Sequence, residues 1–313
     1  MERKLLYIGP EQGLISVQSV VGQCLRVVVA APERDVVTDE LRDSTAVLDA
    51  SMKIRITDNM VANSPMLKII SCATTGSDHI ERGELNKRNI PVRTLREDSE
   101  LLRNLTPAAE LTWALVMSLA RKIPAALDHV RTGYWNRELF PGIMLNGKQM
   151  GIIGCGRIGG WVGRYAQAFR MHVVGFDPYV DPFPTHIHRV SLEELVEKSD
   201  FISIHVHLSA QTRLLMSFEM FERVKPGAFF INTSRGDVAD EAALLKALSS
   251  GRLAGAGLDV LSQEPDIEGS QLLQYARKHN NLIITPHCGG FSPDAVALVC
   301  ARAAKKIVDF LVI

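Results

Sequence analysis

No stretch of the 313-residue sequence is apolar over the ~20 residues that a membrane-spanning helix needs. The opening residues, Met1-Glu2-Arg3-Lys4-Leu5-Leu6-Tyr7-Ile8, lack the apolar core of a signal peptide. Neither sign of charge is in excess. Lys plus Arg number 35 and Asp plus Glu number 35, so nothing suggests nucleic acid or an acidic membrane as a partner. Cysteine is sparse and unpatterned. Cys24, Cys72, Cys155, Cys288 and Cys300 are odd in number and form no C-x-x-C, which fits free or buried thiols in a reducing cytoplasm. There is no internal repeat and no low-complexity segment. What remains is 46% hydrophobic and 22% charged, the balance of an ordinary globular protein, and the length suggests about two domains.

The most informative stretch present is Met150-Gly151-Ile152-Ile153-Gly154-Cys155-Gly156-Arg157-Ile158-Gly159-Gly160. An apolar run reads as a buried strand. Gly154, Gly156 and Gly159 then form G-x-G-x-x-G, and Ile158, Trp161, Val162, Tyr165 and Phe169 recur at helical spacing. Strand, glycine turn and helix together make the dinucleotide-binding fingerprint. Gly154 permits the turn, Gly156 lets amides approach a pyrophosphate, and Gly159 lets the helix pack against the strand. The phosphates would meet the free N–H groups at the helix start, where the dipole favours negative charge. The bland alternative is a plain strand-to-helix turn. Asp177, ending the next apolar run about 20 residues on, sits where a carboxylate binds the ribose hydroxyls. Pro178 and Tyr179 follow it rather than a cation, so NAD is expected over NADP.

Before this unit, residues 4–8, 25–30, 46–49, 67–71 and 89–94 read as short strands separated by polar stretches of helical length. This βαβ rhythm predicts a parallel sheet without a glycine fingerprint. Small residues follow the fourth strand at Cys72-Ala73-Thr74-Thr75-Gly76-Ser77-Asp78-His79, where amides around Thr75 and Gly76 could bind a small anion. A strand-to-helix turn capped by Ser77 or Asp78 is the alternative. Residues 96–106 are polar and suggest a domain crossing. A long helix is predicted from Thr106, with Pro107 in its first turn and Leu111, Leu115, Met117 (or Val116), Leu119 and Ile123 forming an apolar face. Such a face suits interdomain core or a subunit interface. Further strands are predicted at 201–205, 229–232, 254–260 and 282–285. Asp240 and Ser292-Pro293 are read as helix starts.

Three polar residues follow strands of the second half: Arg235, Glu264 and His287. In an open α/β sheet all three project toward the carboxyl-end crevice, where a nicotinamide would lie. An arginine fork pairs with a planar carboxylate. A histidine can give and take the proton of a hydroxyl, and a carboxylate nearby fixes the ring. Each alone reads equally well as a solvated or capping residue; together, beside a cofactor fingerprint, they suffice for hydride transfer to a 2-keto acid. His205 with His207, and His186 with His188, could each share a strand face and hold a metal, but no third ligand is placed, and no metal is expected.

Several longer motifs add to this: Gly147-Lys148 ahead of the glycine loop, Lys225-Pro226-Gly227-Ala228, Ile231-Asn232-Thr233-Ser234-Arg235-Gly236, Gly255-Ala256-Gly257-Leu258-Asp259-Val260 with Glu264-Pro265, and Thr285-Pro286-His287. Through them the sequence resembles, over residues 67 to 291, the D-isomer-specific 2-hydroxyacid dehydrogenases, a family that includes phosphoglycerate dehydrogenase and glyoxylate/hydroxypyruvate reductase. The resemblance implies an α/β fold of two Rossmann-like domains with parallel sheets, the nucleotide-binding domain inserted into the substrate domain. Residues 1–104 and 291–313 would form the flavodoxin-like substrate domain, and 105–290 the NAD-binding domain. It implies an NAD-dependent oxidoreductase that interconverts a small D-2-hydroxy acid and its 2-keto acid, with Arg235 on the substrate carboxylate, His287 as acid/base and Glu264 supporting it. Implied cofactor contacts are Gly154, Gly156, Arg157, Ile158, Gly159, Asp177, Thr94, Val206, Thr233, Ser234, Asp259, Gly289 and Gly290. Thr74, Thr75, Gly76 and Ser77 would bind the substrate carboxylate. A cytoplasmic homodimer, joined through the nucleotide domain, is implied as well.

The chain departs from the family pattern in places. His207 stands where a proline usually precedes leucine, Cys72 stands where phosphoglycerate dehydrogenases often have arginine, no C-terminal regulatory domain is expected, and the 97–106 stretch is long. Two other functions use the same scaffold. NADH-sensing corepressors keep the same Arg, Glu and His, but their peptide-binding arm is not evident here. Phosphite dehydrogenases place a lysine in the loop at 74–76, where this chain has none.

Overall fold

A computed structural model describes residues 3–312 of the chain. They fold as two compact units, Met1–Leu105 with Phe291–Ile313, and Thr106–Gly290.

In the first unit, β1 (Lys4–Ile8), β2 (Arg26–Val29), β3 (Ala46–Asp49), β4 (Ile69–Cys72) and β5 (Val92–Arg93) form a sheet in the order β2-β1-β3-β4-β5. All pairings are parallel. Strands β1, β3 and β4 are buried along their whole length, because side chains pointing to either face meet apolar cover. Leu5, Tyr7 and Leu48 pack under the helices Glu11–Val21 and Pro293–Leu311, through Val17, Val21, Val296, Ala303 and Ile307. Leu6, Ile8 and Val47 face the opposite way, against Val37, Leu41, Met60 and Leu85. Each such fully buried aliphatic side chain contributes about 1.5–3 kcal/mol. Ser292 starts the terminal helix as its sequence predicts, accepting from the Ala295 amide with Pro293 in the first turn.

The 97–106 stretch is not merely polar linker. It holds a short helix, Ser99–Arg103, and its Asp98 carboxylate is buried against the terminal helix, 2.5 Å from both Arg302 Nε and Lys306 Nζ. Lys306 also donates to the Thr94 carbonyl at 2.6 Å. Burial alone would push the Asp98 carboxyl up, but hydrogen bonds from the two cations outweigh it and hold the group below the usual carboxylate range.

The second unit holds β6 (Gln149–Ile153), β7 (His172–Phe176), β8 (His188–Arg189), β9 (Phe201–Ile204), β10 (Ala228–Asn232), β11 (Leu253–Leu258) and β12 (Leu282–Ile284). Their order is β12-β11-β10-β9-β6-β7-β8, and all are parallel. Strand order reverses between β6 and β9, the crevice position at which doubly wound sheets bind ligands. Two-residue β8 is too short to show periodicity and was not expected.

The helix from Thr106 differs from its expectation. It spans Pro107–Ala120, and the chain breaks at Lys122, whose φ of 52° is left-handed. Much of its apolar face is covered within its own unit. Ala109, Leu115, Val116 and Leu119 are buried in the second unit's own core with Ile152, Val162, Phe229 and Ile231. Ile123 lies beyond the break, on a separate helix, Ile123–Arg131, that buries none of its residues. Helical periodicity identified the apolar stripe but carries no information about what covers it.

Candidate active site

The glycine loop leaves β6 at Gly154, which has a φ of 88°. A Cβ there would stand 2.6 Å from the His205 carbonyl oxygen and 2.9 Å from a Val206 methyl, so the loops after β6 and β9 touch at a point only glycine can occupy. The helix Arg157–Ala168 begins directly after, and Gly156 faces open space. The amides at this helix start therefore have the room and the dipole to hold a pyrophosphate. Burial pushes the Arg157 guanidinium down from its usual range. Asp177, past the end of β7, accepts from the Cys155 amide at 2.9 Å through one oxygen and from the Tyr179 and Val180 amides through the other. It thus ties the second strand end to the glycine loop. One feature near it escaped the sequence: Arg189 at the end of β8 donates to the Asp177 carbonyl at 2.9 Å and stacks on Phe183. A cation does stand beside the acid, twelve residues along the chain rather than adjacent.

On the other half of the sheet, Arg235 follows β10 and Glu264 follows β11. The intervening Gly236 packs on the backbone of Leu261 and Ser262, closer than any Cβ would permit, and so draws the two loops together. Arg235 is half-buried, and its Nη1 donates to the Ser234 carbonyl at 2.8 Å. His287 follows β12, and its Nδ1 lies 2.7 Å from Glu264 Oε1. A hydrogen bond from Nδ1–H to the carboxylate leaves Nε2 as the nitrogen available for chemistry. His287 itself has a φ of 51°, unusual for a residue with a side chain. The surroundings enforce it. The His287 amide donates to the Asp259 carbonyl at 2.9 Å, and the Asp259 carboxylate accepts from the amides of Cys288 at 2.9 Å and Gly289 at 2.7 Å and from the Thr285 hydroxyl at 2.5 Å. Asp259 is thereby buried and engaged with this loop, a role its sequence position did not indicate.

Other expected cofactor residues are held by neighbours. Thr233 is buried, with its hydroxyl 2.7 Å from that of Thr112 on the helix Pro107–Ala120. The Ser234 hydroxyl donates to Asn232 Oδ1 at 2.8 Å. Val206 lies beside Gly154, and Gly290 is exposed. In the first unit, the Thr94 hydroxyl accepts from the Arg96 amide. The loop 74–77 is not a capped helix start, since the next helix begins only at Gly83. The Thr74 hydroxyl donates to the Gly76 carbonyl at 2.7 Å, and Arg82 donates to the Ser77 hydroxyl at 2.6 Å.

His205 and His186 each face a partner of their own. The His205 ring lies 2.8 Å from the Ser203 hydroxyl, and its desolvation pushes the pKa down to about 3. His186 Nε2 contacts the Gly160 carbonyl at 2.8 Å. Among the described residues, no three His, Cys, Asp or Glu side chains are grouped to hold a metal. Burial also pushes the Cys155 thiol, inside the glycine loop, up to about 12, which makes it a packing group rather than a nucleophile.

A family model described as D-isomer specific 2-hydroxyacid dehydrogenase, NAD binding domain, matches residues 113–289. The chain belongs to this family. Among its relatives, D-3-phosphoglycerate dehydrogenase of Rattus norvegicus is 34% identical, over 87% of this chain and 50% of that protein. The chain therefore spans about half the length of such phosphoglycerate dehydrogenases. Glyoxylate reductase of Korarchaeum cryptofilum is 33% identical, over 96% of this chain and 90% of its own. Among solved structures, D-lactate dehydrogenase from Aquifex aeolicus, complexed with NAD and lactic acid, superposes with a TM-score of 0.81 at 26% identity, covering 98% of this chain and 95% of that one. In this 2-hydroxyacid dehydrogenase family member, the matched stretch contains the glycine loop, Asp177, Arg235, Glu264 and His287.

Proposed function

We propose that the chain interconverts a small D-2-hydroxy acid and its 2-keto acid, using NAD, in the cytoplasm. The observation that carries this reading is the His287–Glu264 pair at 2.7 Å, one strand-end loop away from Arg235. NAD, when bound, supplies the hydride acceptor and donor. Gly154, Gly156, Arg157, Ile158 and Gly159 would hold its phosphates, Asp177 its ribose hydroxyls, and Thr94, Val206, Thr233, Ser234, Asp259, Gly289 and Gly290 the remainder. Met1–Leu105 and Phe291–Ile313 then form the substrate domain.

In the reaction, the Arg235 guanidinium pairs with the substrate carboxylate and polarises the adjacent carbonyl. Amides of Thr74, Thr75, Gly76 and Ser77 bind the same carboxylate. During reduction His287 Nε2 gives a proton to the forming alkoxide, and in oxidation it takes that proton back. Glu264 stabilises the positive ring and keeps Nε2 aimed. No metal is needed. The names of two relatives, glyoxylate reductase and D-lactate dehydrogenase, support a small 2-keto acid. Incubating the chain with NADH and a panel of glyoxylate, hydroxypyruvate and pyruvate tests the proposal. Oxidation of NADH by at least one supports it; tight NADH binding with no turnover of any points instead to an NADH-sensing binding protein.

We further propose a homodimer, but through a different element than the sequence suggested. The helix Ile123–Arg131 and the segment after it expose Leu127, Val130, Leu139 and Met144, and Trp135 is 89% exposed. Side chains of this size, contiguous in sequence and uncovered, are the composition of an interface core.

A further inference from the structure

The first unit carries a buried acid–imidazole pair that the reaction described above does not use. Its strand order reverses between β1 and β3, which marks the end of β3 as a ligand position by the same rule that marks the glycine loop. Asp49 is the last residue of β3, and it is buried. Its Oδ1 accepts from the Ser51 amide at 2.8 Å, the Ser51 hydroxyl at 2.9 Å and the Met52 amide at 3.3 Å, organising a turn in which Met52 has a φ of 54°. Its Oδ2 lies 2.6 Å from His79 Nε2. The His79 side chain is only 10% exposed, and its Nδ1 is buried with no hydrogen-bond partner among the described residues. Among the described residues, Asp49 is thus the one hydrogen-bond partner of the ring.

Burying a carboxylate and an imidazole is unfavourable unless the pair gives something that apolar packing would not, such as a fixed register. Here the register joins two loops. Asp49 belongs to the turn after β3, and His79 closes the loop 74–77 after β4. The His79 carbonyl also accepts from the Ile56 amide at 3.0 Å, and Arg82 holds Ser77 from the other side.

We propose that Asp49 and His79 are positioning residues that set the loop 74–77 for the substrate carboxylate, and so govern how tightly the 2-keto acid is bound rather than how fast it reacts. This rests on the assignment of that loop to the substrate under Proposed function.

The test uses the full chain with His79→Leu, which removes the donor, His79→Gln, whose amide can place an N–H near the ε position, and Asp49→Asn. KM and kcat are measured with a 2-keto acid that the wild type reduces, alongside NADH affinity and amide hydrogen exchange at residues 74–79. His79→Leu should raise KM at least about tenfold, with kcat within about threefold and NADH affinity unchanged, as expected when ground-state and transition-state binding are lost together. Exchange at Thr75, Gly76 and Ser77 should quicken, and His79→Gln should restore both readouts. If His79→Leu fails to fold, Asp49→Asn, which keeps the volume, carries the same expectation. An unchanged KM and unchanged exchange, or a fall in kcat at fixed KM, overturns the inference. Should the wild type reduce no 2-keto acid at all, the activity reading fails separately, and exchange alone decides: quickened in His79→Leu and restored in His79→Gln upholds the positioning role, unchanged in His79→Leu rejects it.

Discussion

His287 Nδ1 lies 2.7 Å from Glu264 Oε1, and the two side chains come from loops after adjacent parallel strands. In the proposed reaction, a carboxylate in this place would fix the ring and stabilise its charged form during proton transfer. Glu264→Gln keeps the shape and removes the charge. We expect kcat to fall roughly 10²–10³-fold while NADH affinity stays within about twofold, the range for losing support of a general acid. Steady-state kinetics with a fluorescence titration of NADH checks this, and an unimpaired kcat would separate Glu264 from the chemistry.

Gly154 combines a φ of 88° with backbone 2.6 Å from where a Cβ would stand. Gly154→Ala should therefore force apart the loops after β6 and β9. The expected outcome is a loss of about 1–3 kcal/mol of stability, as for an enforced backbone strain, and NADH binding weakened at least about tenfold. Thermal melts and the same titration measure both. A variant that binds NADH like the wild type would mean that the loop contact is dispensable.

Asp98 predicts a pH dependence of stability. Its carboxyl is held below the ordinary carboxylate range by Lys306 and Arg302, against the opposing push of burial. A lowered folded value means that the stabilisation is complete above the unfolded value of about 3.9 and is lost as pH falls through the folded one. Asp98→Asn should cost about 1–3 kcal/mol at neutral pH, the magnitude for hydrogen bonds to a charged group. Below about pH 4 its melting temperature should decline less steeply than that of the wild type. Parallel declines would show that Asp98 does not titrate with folding.

Trp135 tests the proposed dimer. Sedimentation of the wild type should give twice the mass of one chain. Trp135→Glu should shift it to monomer by placing a charge in the apolar contact, a change of several kcal/mol in association when the charge is left unpaired. A variant that remains dimeric would relocate the interface.

Much of this was legible because it is local. The glycine loop, the Asp240 and Ser292 caps and the strand-end positions of Arg235, Glu264 and His287 all follow from spacing within a few residues. The rest was hidden because its partners are distant in sequence. Asp98 meets Arg302 across 204 residues and Asp49 meets His79 across 30, separations at which periodicity is silent. Arg189 reaches Asp177 from a strand of two residues, too short to be read. The helix Pro107–Ala120 showed its apolar stripe plainly, but a stripe looks the same whether a sheet or a second subunit covers it. The sheet of its own unit does so here.

Hydride transfer is tested most directly with NADH deuterated at both C4 positions and the 2-keto acid that turns over fastest. Mass spectrometry of the product, with chiral separation, reads where the label goes. The expected result is one deuterium at C2 of the D-2-hydroxy acid for each NADH oxidised. An unlabelled product, the L isomer, or bound NADH that is never oxidised would contradict a D-2-hydroxyacid dehydrogenase acting through Arg235 and His287.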